Sequence, residues 1–162
     1  MSEGRLKVLL LVDIATFHGQ RIASQLKRQG VAVITASLEE GLGRYLQLKS
    51  IGPLKSLHYT LAIPQVKTVI RRFRPDVVYA HYASGYGYVA AGAIPTNGPA
   101  MLLNLWGSDI LRVPQKSIFH RQKTRKALKK ADYVLADSEY LLERAGELTR
   151  LNKKSVIYWG IE

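Results

Sequence analysis

Short apolar runs recur along this chain with helix-length stretches between them, and that rhythm restricts the possible folds more than any other feature. Leu6 to Val12, Val31 to Ser37, Asp76 to His81, Ala100 to Leu105 and Tyr133 to Ala136 are each of strand length. Their apolar residues follow one another instead of alternating with polar ones, the pattern of strands buried on both faces of a parallel sheet. Leu57 to Leu61 and Ser155 to Tyr158 read as further short strands. Between the runs, His18 to Gln29 places Ile22, Ala23 and Leu26 on one helical face, with Gly30 as its stop. Pro64 opens a helix in which Val66, Val69, Ile70 and Phe73 form an i, i+3, i+4, i+7 stripe that ends before Pro75. Tyr86 to Ala93, Ile118 to Lys130 with Ser117 as cap, and Glu139 to Leu148 complete the helices. Leu38 to Ser56 is broken by Gly41, Gly43, Gly52 and Pro53, and holds at most a short helix over Arg44 to Lys49.

Strands alternating with helices at this spacing predict an α/β protein: a Rossmann-like three-layer α/β/α sandwich with a mostly parallel sheet of about six to seven strands and right-handed crossovers. A chain of 162 residues, 47% of them hydrophobic, suffices for one core, so residues 1–162 read as a single domain. The absence of cysteine excludes a disulfide framework, a thiolate nucleophile and a thiolate-bound metal. Asp13 interrupts the first apolar run and no small-residue cleavage site follows, so the run reads as a core strand and not a signal peptide. No segment approaches the roughly 18 uncharged apolar residues that span a bilayer. The formal net charge of +12 favours anionic partners, whether phosphates, nucleic acid or lipid headgroups. Arg121, Lys123, Arg125, Lys126, Lys129 and Lys130 lie on one helix, and Lys67, Arg71, Arg72 and Arg74 on or beside another. Such runs are solvated faces, or a seat on anionic lipid to which each basic residue contributes about 1 kcal/mol.

Ligands of open parallel sheets bind beyond the carboxyl ends of the strands, near the point where strand order reverses. The candidate residues therefore follow strands. After the first comes DIATFHGQR, with Asp13, His18 and Gly19 at the start of a helix whose free N–H groups can receive an anion, or with Gly19 as a simple hinge. After Asp76 to His81 comes YASGYGY, which sets His81 and Tyr82 at the sheet edge and Ser84, Gly85 and Gly87 in the turn before a helix. Two roles are open to this loop: close approach of a ligand to glycine backbone, or structural hydrogen bonding by His81. The stretch LLNLWGSDIL ends a strand on Trp106, Gly107, Ser108 and Asp109. Either Asp109 caps the next turn while Trp106 packs, or Trp106 walls a pocket in which Asp109 accepts hydrogen bonds from hydroxyls. Ser138 and Glu139 follow Tyr133 to Ala136, Ser138 as a helix cap or as a group facing ligand.

The succession HGQRIASQLKRQGVAVITAS, RPDVVYAHYASGYGYVAAGA, PAMLLNLWGSDI, ADYVLADSEYLLERAG and SVIYWGIE resembles the N-terminal domain of glycosyltransferase family 4, the large retaining group with the GT-B fold. The resemblance covers nearly the whole chain in the right order. It implies one half of a GT-B fold, in which two Rossmann-like domains face each other across a cleft, the first holding mainly acceptor and the second most of the nucleotide sugar. YWGIE resembles the family's passage into the interdomain linker, so the resemblance further implies a C-terminal partner domain absent from this chain, through truncation or as the other half of a split enzyme. The implied activity is transfer of a hexosyl group from a nucleotide-sugar donor to a glycan or lipid-linked acceptor, without a metal, with no cofactor in this domain and with no turnover by this half alone. Asp109 is the implied catalytic residue. The implied substrate-binding set is His18, Gly19, His81, Tyr82, Ser84, Gly85, Trp106, Gly107, Ser108, Ser138 and Glu139. The setting implied is cytoplasmic, with possible seating on an anionic membrane surface and no specific nucleic acid.

Two departures stand out. The Gly-Gly pair common in the family's first loop is ATFHG here, and the histidine that many members carry before Gly-Ser-Asp is Trp106. Other classes fit less well. A stand-alone module binding nucleic acid or an anionic polymer would use the basic faces, but these lack interleaved aromatics. A nicotinamide-dependent oxidoreductase needs the GxGxxG that is missing after the first strand.

Overall fold

The apolar runs Lys7–Leu11 (β1) and Val77–His81 (β4) lie side by side at the centre of the sheet. Ala32–Ser37 (β2) and Leu46–Gln47 (β3) extend it on one side, and Ala100–Asn104 (β5), Tyr133–Ala136 (β6) and Lys154–Val156 (β7) on the other. The order is β3-β2-β1-β4-β5-β6-β7, and every neighbouring pair is parallel. The computed structural model describes residues 4–50 and 55–158. Gly52, Pro53 and residues 159–162 of the YWGIE ending lie outside them.

The helices are α1 (Phe17–Arg28), α2 (Lys55–Phe73), α3 (Tyr88–Ala93), α4 (Ser108–Leu111), α5 (Val113–Lys116), α6 (Ile118–Lys130) and α7 (Glu139–Leu148). Alternate residues of β1 serve the two faces: Leu9 and Leu11 join the core under α2, α3, α6 and α7, while Val8, Leu10 and Val12 pack against Ile22 and Ala23 of α1. Both faces of the strand are therefore apolar, which is why its sequence does not alternate.

Two expected elements are corrected. Leu57 to Leu61 is not a strand: it belongs to α2, and Pro64 lies inside that helix instead of opening it. Proline removes a helical donor at a cost of about 3 kcal/mol. Tyr59, Ala62, Ile63 and Val66 recur at i, i+3, i+4 and i+7 and pack into the main core, and this burial outweighs the lost bond. Arg44 to Lys49 is not a helix either. Leu46–Gln47 pairs with the end of β2, the Leu48 N–H donates to the Ser37 carbonyl at 2.7 Å, and the Gln65 side chain ties both backbone groups of Lys49 to α2. An exposed strand edge offers this segment more hydrogen bonds than a single helical turn provides. Two short helices unforeseen in the sequence, α4 and α5, bridge from the end of β5 to α6.

Candidate functional site

Strand order reverses between β1 and β4, and the loops that leave β1, β4 and β5 converge there. They enclose an open pocket of about 510 Å³ lined by Val12, Asp13, Thr16, His18, Tyr59, His81, Tyr82, Tyr86, Trp106 and Ser108. No lysine or arginine is among these residues, although the chain carries a net charge of +12.

The β1 loop is held by Thr16, the cap of α1: its hydroxyl accepts from the Gly19 N–H at 3.1 Å and donates to the Asp13 carbonyl at 2.8 Å. Gly19 is thus not a hinge but part of the first helical turn, where a Cβ would stand 2.1 Å from the Asp13 carbonyl oxygen. Gly19→Ala is expected to destabilise the protein by about 3 kcal/mol, read by urea unfolding, because that oxygen is backbone and the loop cannot yield locally. An unchanged midpoint would mean that the loop is slack.

At the end of β4 the chain enters a π-helical segment, Tyr82–Gly87, that runs into α3. This corrects the expected turn around Gly85 and Gly87. Both glycines are buried: a Cβ on Gly85 would meet the Tyr59 ring at 3.0 Å and one on Gly87 would meet Leu103 at 2.8 Å. Tyr82 opens the segment at φ 73°, a conformation that a bulky residue adopts only when its surroundings impose it. The result is a phenol aimed across the pocket, 3.0 Å from the Ser108 hydroxyl.

His81 lines the pocket but is almost wholly buried in its wall. The Trp106 indole N–H donates to its Nδ1 at 3.1 Å, so the ring proton resides on Nε2, which is buried without a partner. Burial pushes the His81 pKa down to about 3, and the ring is neutral at any physiological pH. Trp106 in turn packs 5.1 Å from the His18 ring, and together they form an aromatic wall.

Asp109 was expected to face hydroxyls; the structure turns it inward. It is fully buried and does not line the pocket. Gly107, at φ 87°, bends the chain so that α4 starts at once and points the Asp109 carboxylate back beneath the loops. There its Oδ2 accepts from the Ala83 N–H at 2.6 Å and its Oδ1 from the Trp106 N–H at 3.0 Å, joining the β4 and β5 loops. Burial pushes its pKa up to about 6 against the opposing pull of these amides and those of Asp109 and Gly107.

Of the residues expected from the sequence, His18, His81, Tyr82, Trp106 and Ser108 are brought together in the pocket wall. Ser84, Ser138 and Glu139 are not among its lining residues. Ser138 occupies the cap position of α7, but its hydroxyl donates to Asp137 and makes no capping bond. Tyr59 and Tyr86 are pocket residues that the sequence reading missed. The Tyr86 O–H donates to Glu39 and accepts from the Leu38 N–H at 2.7 Å. Burial, with the carboxylates of Glu39 and Asp13 adding to it, keeps the Tyr59 phenol protonated. Tyr59 is legible once residues 55–73 are taken as one helix, since it starts the i, i+3, i+4, i+7 stripe described above.

The sequence profile described as Glycosyl transferase 4-like matches residues 7–138. The chain belongs to the glycosyl transferase 4-like family. No curated protein sequence matches this glycosyl transferase 4-like chain. Among solved structures it resembles a sucrose-phosphate synthase from Thermosynechococcus elongatus, with TM-score 0.76 and 10% identity over 97% of this chain and 49% of that one. It also resembles the lipopolysaccharide outer core galactosyltransferase WaaB, with TM-score 0.65 and 16% identity over 96% of this chain and 46% of that one. A UDP-GlcNAc 2-epimerase from Methanocaldococcus jannaschii gives TM-score 0.65 and 14% identity over 94% and 45%. At these identities the likeness establishes the fold: the glycosyl transferase 4-like domain is one half of a GT-B architecture, and it spans about half the length of each of these chains.

Proposed function

We propose that this is the acceptor-binding N-terminal domain of a retaining glycosyltransferase that moves a hexosyl group from a nucleotide sugar to a glycan or lipid-linked acceptor. The observation that carries this reading is the lining of the pocket. Three tyrosines, a tryptophan and two histidines with Asp13, Thr16 and Ser108 suit sugar hydroxyls and the apolar faces of sugar rings. A diphosphate would need cations or free helix N–H groups. The lining supplies no lysine or arginine, and the first helix start is already capped by Thr16. The donor's charged portion is therefore assigned to a second domain. Supporting this, the α1-side face of the sheet carries Leu102 and Tyr133, and α1 is the one helix that contributes buried residues there among the described residues. In transfer, the acceptor oxygen bonds to the anomeric carbon as the bond to the nucleotide diphosphate breaks. The share of this domain is to fix that oxygen, with Asp109 as a positioning residue that holds the β4 and β5 loops in register, and the domain alone does not turn over.

A second feature supports an acceptor held at a membrane surface. Among the helices that cover one side of the sheet, α2, α3 and α6 contain no aspartate or glutamate in their sequences, whereas α7 beside them carries Glu139, Glu143 and Glu147. α6 exposes Arg121, Lys126 and Lys129 together with Ile118 and Phe119, the latter 77% exposed. Cations beside apolar side chains suit an anionic lipid interface. In this reading the seating is peripheral and on the cytoplasmic side; no helix among the described residues is long and apolar enough to cross a membrane.

The test uses the full-length protein with a panel of nucleotide sugars, offering acceptors in solution and in vesicles containing anionic lipid. Trp106→Ala is expected to raise the acceptor KM by about tenfold while changing donor hydrolysis by water less than about twofold. Equal loss of both reactions would assign the pocket to the donor. Absence of transfer from every nucleotide sugar would remove the transferase reading.

A further inference from the structure

The outer edge of the sheet is open. β2 has six residues, and β3 pairs only with its last two, Ala36 with Leu46 and Ser37 with Gln47. Among the described residues no strand lies against Ala32 to Thr35 on that side. The Ala32 N–H donates to Leu6 towards β1, so in the alternation of a parallel strand Val33 and Thr35 direct their N–H groups to the open side. A cavity of about 1370 Å³, open to solvent, runs along this edge. On the α2 side its floor is apolar, with Ile34, Val69 and Phe73. Lys27, Arg44, Lys49 and Arg72 stand around it, and no carboxylate lines it. At the same edge Thr35 is buried, and its hydroxyl has no hydrogen-bond partner.

An open strand edge, an apolar floor and an unmatched hydroxyl each call for an occupant. We propose that this groove takes an extended acidic peptide as an added strand beside β2. The backbone of such a peptide satisfies the edge N–H groups, its alternate side chains reach the apolar floor, and its carboxylates meet the cationic rim. A second copy of this chain is a poor occupant, because it would bring the same cations against themselves. Lipid or polyphosphate would meet the rim but leave the edge donors unmatched. The groove lies at the β3 edge of the sheet, and its lining shares no residue with that of the β1–β4 pocket.

The experiment titrates the full-length protein with a synthetic peptide of alternating glutamate and valine, and follows amide exchange at Val33 and Thr35. Two further peptides serve as comparisons, one with proline in place of each valine and one with lysine in place of each glutamate. Binding of the glutamate–valine peptide alone, with slowed exchange at both amides, is expected. Lys27→Glu with Arg72→Glu, both at exposed positions, should weaken it by about tenfold or more without lowering the melting temperature. Equal binding of the proline peptide would reduce the groove to a charge patch and overturn the proposal. So would failure of the glutamate–valine peptide to bind, protection of these amides by self-association at high protein concentration, or their protection by phosphatidylglycerol vesicles.

Discussion

Asp109→Ala is expected to destabilise the protein by about 3 kcal/mol at pH 7, a fall in melting temperature of about 6–12 °C. The carboxylate receives the amides of Ala83 and Trp106 directly, with Gly107 and Asp109 contributing. Each amide left buried without an acceptor costs about 1–3 kcal/mol. Alanine also removes a buried charge. A pKa raised from 3.8 to about 6 puts that relief at about 3 kcal/mol, less than the summed cost of the orphaned amides. Transfer by the full-length enzyme should be lost in step with the fold, because the amides that Asp109 ties down are those of Ala83, next to Tyr82, and of Trp106 itself. A variant that melts like the wild type but transfers no sugar would mean that the carboxylate acts on substrate, and the positioning role would fall.

The parallel sheet was legible because a doubly covered strand must be apolar throughout, and five runs of that kind are hard to place in any other architecture. α6 and α7 were legible to the residue for the same kind of reason: Ser117 and Ser138 lie in extended conformation just ahead of the periodic segments. α2 was misread because Pro64 is a strong local signal for a helix start, whereas the burial of Ala62 and Val66 that overrides it is a tertiary effect. The rule that ligands gather at strand ends brought out His18, His81, Tyr82, Trp106 and Ser108. It could not bring out Tyr59, which reaches the pocket from near the start of α2 and follows no strand, nor the direction of Asp109. That direction depends on the φ of 87° at Gly107, and no local pattern distinguishes a glycine that reverses a side chain from one that simply ends a strand.

His81→Gln should change how the protein responds to acid, and Asp109 makes the result diagnostic. The neutral His81 ring accepts the Trp106 indole N–H, and protonation of Nδ1 would set two donors against each other. Its folded pKa of about 3 lies below the ordinary 6.5, so its contribution is fully present above pH 6.5 and is lost as pH falls towards 3, up to about 5 kcal/mol. Asp109 works in the opposite sense. Its folded pKa of about 6 lies above the ordinary 3.8, so the stability it adds is fully present below 3.8 and is lost as pH rises through 6, up to about 3 kcal/mol. Between pH 4 and 6 the two slopes largely cancel in the wild type. His81→Gln keeps an acceptor for Trp106 but does not titrate, and should therefore show unfolding free energy that rises as pH is lowered from 7 to 4. Asp109→Asn should show the reverse, a steep loss beginning near pH 6.5, with the double variant flat. Urea unfolding at half-unit pH steps reads all four proteins. Parallel profiles for wild type and His81→Gln would mean that the histidine is hydrated in solution, and that the wall of the pocket is looser than the indole–imidazole bond requires.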